Sequence, residues 1–269
     1  MTLALVVSLL AGLATSIGGL LVLNSKTLER QWLAVSLAFA AGAMIIVSLV
    51  ELVPLGIEYM GEYASPKLAQ LYVWLAFFGG IALVLVIDRI LPDVLNPNEM
   101  EGREDALTET DTSSTRNLMR SGALVAMVLA LHNFPEGMAT FFTTYQDPQV
   151  GFTLAVAIAI HNVPEGIAVA APVYAATGSK KKGFWWATFS GLTEPIGALF
   201  AALLVAWVIP PQFFGIFYGV VSGMMVFLAL DELLPGAWRY QTDKHQTIYG
   251  MLAGMGAMAV SFVLFASGS

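Results

Sequence analysis

The 269-residue chain has no cysteine, three histidines and few charges, only 12% of its residues being Asp, Glu, Lys or Arg. Without cysteine there is no disulfide, no thiolate metal site and no thiol redox chemistry, and the compartment cannot be read from cysteine usage. A soluble domain carries about a quarter of its residues as charges. The low charge here, set against 57% hydrophobic residues and a mean hydropathy of +0.75, excludes that class. A glycine-rich phosphate loop is also missing, which removes ATP-driven work from the candidates. What the chain does have is a series of apolar runs of about 20 residues, the length that crosses a bilayer. The first, Thr2 to Leu23, lacks the basic start of a signal peptide and has a long apolar run, so it reads as a retained span.

Hydropathy predicts an all-α integral membrane protein of eight helices, at about 2–23, 32–53, 70–91, 121–145, 149–175, 184–209, 212–235 and 247–267. The total charge of −7 is less informative than where the cations fall. Alternating the loops between two sides puts Lys26, Arg30, Arg89, Arg103, Arg116, Arg120, Lys180, Lys181, Lys182, Arg239 and Lys244 on one face and only Lys67 on the other. Cytoplasmic loops collect Lys and Arg, so both termini are expected outside the cytoplasm of a cell (inner) membrane. The chain reads as one transmembrane domain, 1–269, with an acidic flexible cytoplasmic loop at about 92–117.

The helices are related in pairs. Gly12-Leu13-Ala14-Thr15-Ser16-Ile17-Gly18-Gly19-Leu20 in the first span matches Gly191-Leu192-Thr193-Glu194-Pro195-Ile196-Gly197-Ala198-Leu199 in the sixth. Gly42 to Pro54 likewise matches Gly223 to Pro235. Each pairing joins an odd helix to an even one, so related helices cross the membrane in opposite directions. The expectation is an inverted repeat, helices 1–3 related to 6–8 and helix 4 to helix 5, as in many alternating-access transporters. Gly/Ala-rich faces on the first and last spans suit close helix contact, within the bundle or between copies.

The fourth and fifth spans carry one polar hexapeptide twice: His132-Asn133-Phe134-Pro135-Glu136-Gly137 and His161-Asn162-Val163-Pro164-Glu165-Gly166. Both lie deep in apolar runs, where an ionisable side chain costs roughly 2.5 kcal/mol or more to insert, so a binding site or conduction path is the natural reading. At about 100° per residue, with His132 at zero, Glu136 stands at about 40° and Asn133 at about 100°, so each glutamate lies between its histidine and its asparagine. If the two helices face each other, the carboxylates can bridge one metal on the histidine side and another on the asparagine side. Imidazole with carboxylate suits Zn²⁺ and equally Fe²⁺ or Mn²⁺. Pro135 and Pro164 free the carbonyls of Leu131 and Ile160, which is tolerable at this depth only beside protein partners or a wet cavity. Glu194, at similar depth in the sixth span, extends the set, whereas its first-span counterpart is the neutral Thr15. Glu51 is expected near the outer end of span two, and Asp231 and Glu232 near the inner end of span seven, so that acids mark the outer mouth, the middle and the inner mouth of a cation path.

The paired His-Asn-x-Pro-Glu-Gly motifs, the eight spans with outside termini and the Glu-x-x-Pro ending span two resemble the ZIP family of divalent metal transporters, in particular its bacterial ZupT-type members. The resemblance covers the whole chain. It implies uptake of Zn²⁺, and of other divalent metals such as Fe²⁺, Mn²⁺ and Cd²⁺, through a binuclear site between helices four and five. The ligands it implies are His132, Glu136, His161 and Glu165 for one metal and Asn133, Glu136, Asn162, Glu165 and Glu194 for the other, with Ser48 or Glu51 as a further candidate. It also implies motion of helices one, four, five and six against two, three, seven and eight, in a homodimer. The expected partners are thus divalent metal ions, the lipid bilayer and a second copy, with no nucleic acid; the metal is substrate, and no catalytic cofactor is expected. The loop at 92–117 departs from the family's frequent histidine-rich pattern in having no histidine.

Two other classes compete with this reading. An intramembrane zinc hydrolase would use metal-activated water, but the chain lacks His-Glu-x-x-His, so no catalytic residues are assigned. A proton-coupled carrier of a small solute would use His132 and His161 as relays.

Overall fold

An apolar segment in lipid must satisfy its backbone polar groups internally, and the helix does so. The computed structural model of the chain describes residues 1–23, 29–90, 132–205, 210 and 212–265. Among these, eight helices follow one another: α1 Thr2–Leu21, α2 Arg30–Gly61, α3 Pro66–Ile90, α4 132–146, α5 Pro148–Thr177, α6 Lys180–Val205, α7 Gln212–Tyr240 and α8 Gln246–Phe265. All but α4 are long and apolar enough to span a bilayer over described residues. Residues 121–131 of the expected fourth span, with the carbonyl of Leu131, and the loop at 92–117 lie outside the described residues. The chain is therefore an all-α, multi-pass membrane protein.

Helices α4 and α5 form a tight hairpin. Asp147 caps α5, its Oδ1 accepting from the amides of Gln149 at 2.8 Å and Val150 at 3.2 Å, with Pro148 at the first helical position. Gly151 admits the backbone of Thr144 where any Cβ would collide with it. Helix α5 then runs without interruption through Pro164 and ends at Gly178, whose φ of +63° closes the C-terminus in the left-handed conformation that glycine adopts freely.

Spans two and seven differ from expectation in an informative way. Both were expected to stop near their prolines, at 53 and 235. Instead α2 continues to Gly61 and α7 to Tyr240, each through a π-helical turn, Val47–Leu52 and Ala229–Leu233, with Pro54 and Pro235 just beyond. A proline cannot donate to the carbonyl four residues back, and the wider turn takes up that mismatch without ending the helix. Glu51, Asp231 and Glu232 consequently sit within these turns, half-buried, rather than at helix ends. Glu51 is followed by ten more helical residues, about 15 Å at 1.5 Å per residue.

Small residues set the packing. A Cβ on Gly12 would lie 2.5 Å from the Gly191 carbonyl oxygen, so α1 and α6 touch backbone to backbone. Several such contacts come in matched sets. Gly166 of α5 abuts the Thr15 carbonyl of α1, as Gly137 of α4 abuts the Glu194 carbonyl of α6. Gly18 meets the Val163 carbonyl, as Gly197 meets that of Phe134. In the other helices Gly42 and Gly254 lock α2 to α8 through Met251 and Phe39, and Gly223 and Gly80 lock α7 to α3 through Phe77 and Val220. Toward the C-terminal end of α4, Phe142 packs edge-on against Phe213, Phe214 and Phe217 of α7, and Tyr59 of α2 stacks on Tyr218 at 5.7 Å. The outward faces of α3 and α8, with Leu75, Phe78, Leu252 and Val263, are exposed apolar surface of the kind lipid covers.

Candidate metal centre

Because α5 carries His161 and Glu165 near its middle and α4 presents the matching residues across from it, both hexapeptides meet inside the bundle. His132, Asn133, Glu136, His161, Asn162, Glu165 and Glu194 are all buried. The two motifs engage each other crosswise: His132 Nε2 lies 3.1 Å from Glu165 Oε1, and His161 Nε2 lies 3.0 Å from Glu136 Oε1. His161 Nδ1–H donates to the Ala157 carbonyl at 3.1 Å, which leaves Nε2 as the nitrogen facing the site. Each carboxylate spends one oxygen on a histidine and leaves the other without a hydrogen-bond partner.

The asparagines engage the outer helices of the bundle. Asn162 Nδ2 donates to the Ala11 carbonyl of α1 at 3.0 Å and to Glu194 Oε2 of α6 at 2.8 Å. Asn133 Nδ2 donates to the Ser190 carbonyl of α6 at 3.4 Å. Helix α6 is interrupted at Leu192, just before Thr193-Glu194-Pro195, and Thr193 Oγ1 also donates to Ser190 O, at 2.6 Å. Pro195 has no N–H to return to Gly191, so the break sets Glu194 at the head of the second half of α6.

What remains unpaired is more telling than what is paired. Among the described residues, His132 Nδ1, Asn133 Oδ1, Glu136 Oε2, Asn162 Oδ1, Glu165 Oε2 and Glu194 Oε1 are buried without a hydrogen-bond partner. One such atom costs about 1–3 kcal/mol, so six in one place are a standing penalty unless a ligand relieves it. All six are lone-pair donors of the kinds that bind divalent transition metals. The ligand shell is nevertheless not preassembled: among the described residues no three His, Asp or Glu side chains already close around one point. His132 Nε2 and His161 Nε2 are occupied by carboxylate oxygens, and a metal binding there would have to replace those hydrogen bonds.

The other candidates are placed less centrally. Ser48 is buried in the α2 π-turn with its Oγ unpartnered and its carbonyl accepting from Ser222 Oγ at 2.7 Å. Glu51, Asp231 and Glu232 lie half-buried in the π-turns of α2 and α7, not on the helices that carry the hexapeptides. Sequence reasoning missed the backbone contribution, namely the Ala11 and Ser190 carbonyls that orient the two asparagines; the only signal for it was the Gly12 and Gly191 that follow them.

The matched family model, described as the ZIP zinc transporter, covers residues 95–261. The chain belongs to the ZIP family. A zinc transporter ZupT of Corynebacterium aurimucosum is 45% identical over 96% of this chain and 95% of its own. The same-named proteins of Streptococcus mutans and Xanthomonas axonopodis pv. citri are 44% and 46% identical, each over 97% of this chain and over 97% and 94% of their own. ZIP membership makes the chain a transporter rather than an enzyme, with zinc as cargo rather than catalytic cofactor, and the hydrolase alternative falls with it.

Proposed function

We propose that this chain carries Zn²⁺, and with it Fe²⁺, Mn²⁺ and Cd²⁺, into the cytoplasm through a binuclear site between α4 and α5, by alternating access. The observation that carries the reading is the set of six unpartnered donor atoms around the crossed His132–Glu165 and His161–Glu136 pairs. A metal on the histidine side takes His132, His161 and one oxygen of each glutamate. A second on the asparagine side takes the free oxygens of Glu136, Glu165 and Glu194 with Asn133 Oδ1 and Asn162 Oδ1. The glutamates bridge, and the crossed hydrogen bonds keep the histidines in place between cargo ions.

Alternating access is supported by the matched contacts. The pairs Thr15–Gly166 and Glu194–Gly137, and Gly18–Val163 and Gly197–Phe134, exchange α1 with α6 and α4 with α5, as an inverted repeat requires. The pairs Gly42–Met251 and Gly223–Phe77 do the same for α2 with α7 and α8 with α3. Helices α1, α4, α5 and α6 then move as one body against α2, α3, α7 and α8. The Phe142 cluster closes one side of the site, the outer one if both termini lie outside the cytoplasm. Acids in the two π-turns, Glu51, Asp231 and Glu232, with Ser48, line the approach and the exit, and a second copy covers part of the exposed α3 and α8 surface.

The test is a count of bound ions. Equilibrium dialysis of the purified protein against Zn²⁺ is expected to give two ions per chain, falling below one in Glu165→Ala. A single ion in the wild type, or an unchanged count in the variant, would overturn the binuclear part.

A further inference from the structure

The matched contacts single out Thr15. Exchange of α1 with α6 and of α4 with α5 turns the Asn162–Ala11 hydrogen bond into the Asn133–Ser190 one, and it maps Glu194, bonded to Asn162, onto Thr15. Thr15 is 1% exposed, and its Oγ1 has no hydrogen-bond partner. That is unusual for a helical threonine in this protein. Thr140, Thr143, Thr144, Thr153, Thr177 and Thr188 all donate to the carbonyl four residues back. For Thr15 that carbonyl belongs to Ala11, and it is the one Asn162 has taken. Thr15 Oγ1 does not join Asn162 on that carbonyl, although the related Ser190 carbonyl accepts from both Asn133 Nδ2 and Thr193 Oγ1. A Cβ on Gly191 would lie 2.9 Å from Thr15 Oγ1, which puts the hydroxyl against α6 one turn before Glu194.

We propose that Thr15 Oγ1 is a neutral contact to the asparagine-side metal, opposite Glu194, and that its lack of charge sets how tightly that position holds a cation. This rests on the binuclear reading above. Two divalent ions bring four positive charges to three carboxylates, Glu136, Glu165 and Glu194; a symmetric site with an acid at 15 would balance them. Transport needs binding strong enough to admit an ion and weak enough to release it. A hydroxyl in place of the symmetry-related carboxylate supplies an oxygen donor without the charge that would hold the pair of ions in place.

The test uses the full-length protein in detergent and isothermal titration with Zn²⁺, with thermal unfolding of the metal-free protein as the control for packing. Thr15→Val keeps the shape and removes the oxygen; it is expected to weaken the second binding event by about tenfold, the scale of supporting-group losses in metal sites, with the first event and the melting temperature unchanged. Thr15→Ser restores the second event. Thr15→Asp moves it the other way, to tighter binding with slower zinc release. The proposal is overturned if the second event is the same in Thr15→Val as in wild type while Glu194→Gln weakens it. If Glu194→Gln also leaves it unchanged, the asparagine-side position itself fails, and Thr15 with it. Failure of Thr15→Asp to tighten binding in a folded protein would equally count against the charge argument.

Discussion

Gly12→Ala removes no polar or charged group, yet it should disable the metal centre. Its Cβ would stand 2.5 Å from the Gly191 carbonyl oxygen, 3.0 Å from Pro195 Cδ and 3.1 Å from Glu194 Cβ, whereas ordinary contact begins at 3.4 Å. Helices α1 and α6 must therefore part by about 0.9 Å. Asn162 of α5 holds both of them at once, through Ala11 O at 3.0 Å and Glu194 Oε2 at 2.8 Å. Whichever helix yields, one of those two bonds is carried beyond about 3.2 Å, the ordinary reach of an N–H···O hydrogen bond. The expected cost is about 1–3 kcal/mol of stability from overpacking and about 10- to 100-fold in zinc affinity from the loss of a supporting contact. Thermal unfolding and zinc titration of the purified variant measure the two. Gly79→Ala and Gly256→Ala, where a Cβ meets nothing within 4 Å, are the controls and should leave both quantities as they are. Wild-type zinc affinity in a folded Gly12→Ala protein would refute the coupling of helix spacing to the site.

Three further outcomes follow from the same contacts. Glu165→Ala removes both the oxygen facing His132 and the unpartnered second oxygen, so zinc uptake into proteoliposomes should fall to background while membrane insertion persists. Glu194→Gln keeps an oxygen that can accept from Asn162 but removes one charge, so competition titrations should show the weaker of two zinc-binding events lost first. Tyr218→Phe deletes the hydroxyl that donates to Thr143 Oγ1 at 2.8 Å; because Thr143 still donates to the Ala139 carbonyl, no buried donor is stranded, and unfolding should register only about 0.6–1.5 kcal/mol.

Much of the centre could be read in advance because a helix turns at a fixed rate. The four-residue interval from His132 to Glu136, repeated from His161 to Glu165, determines which side chains share a face, and the crossed pairs are what two such faces make on meeting. Hydropathy likewise gave the helix order, since length and apolarity are local properties. The extent of α2 and α7 was misread because Pro54-Leu55-Gly56 and Pro235-Gly236 carry the composition of a helix stop; in a packed bundle a π-turn absorbs the proline instead. The carbonyls of Ala11 and Ser190 were invisible because every residue has one, and only the three-dimensional neighbour decides which is used. The glycines were visible as composition, but the backbone each one admits was not.

The decisive experiment is zinc entry into proteoliposomes reconstituted with the purified protein, compared among wild type, His132→Ala and Glu165→Ala. Time-dependent accumulation of zinc is expected in wild-type vesicles, with background levels in both variants. Equal accumulation in all three would show that zinc crosses the membrane by a route other than the His132–Glu165 and His161–Glu136 centre.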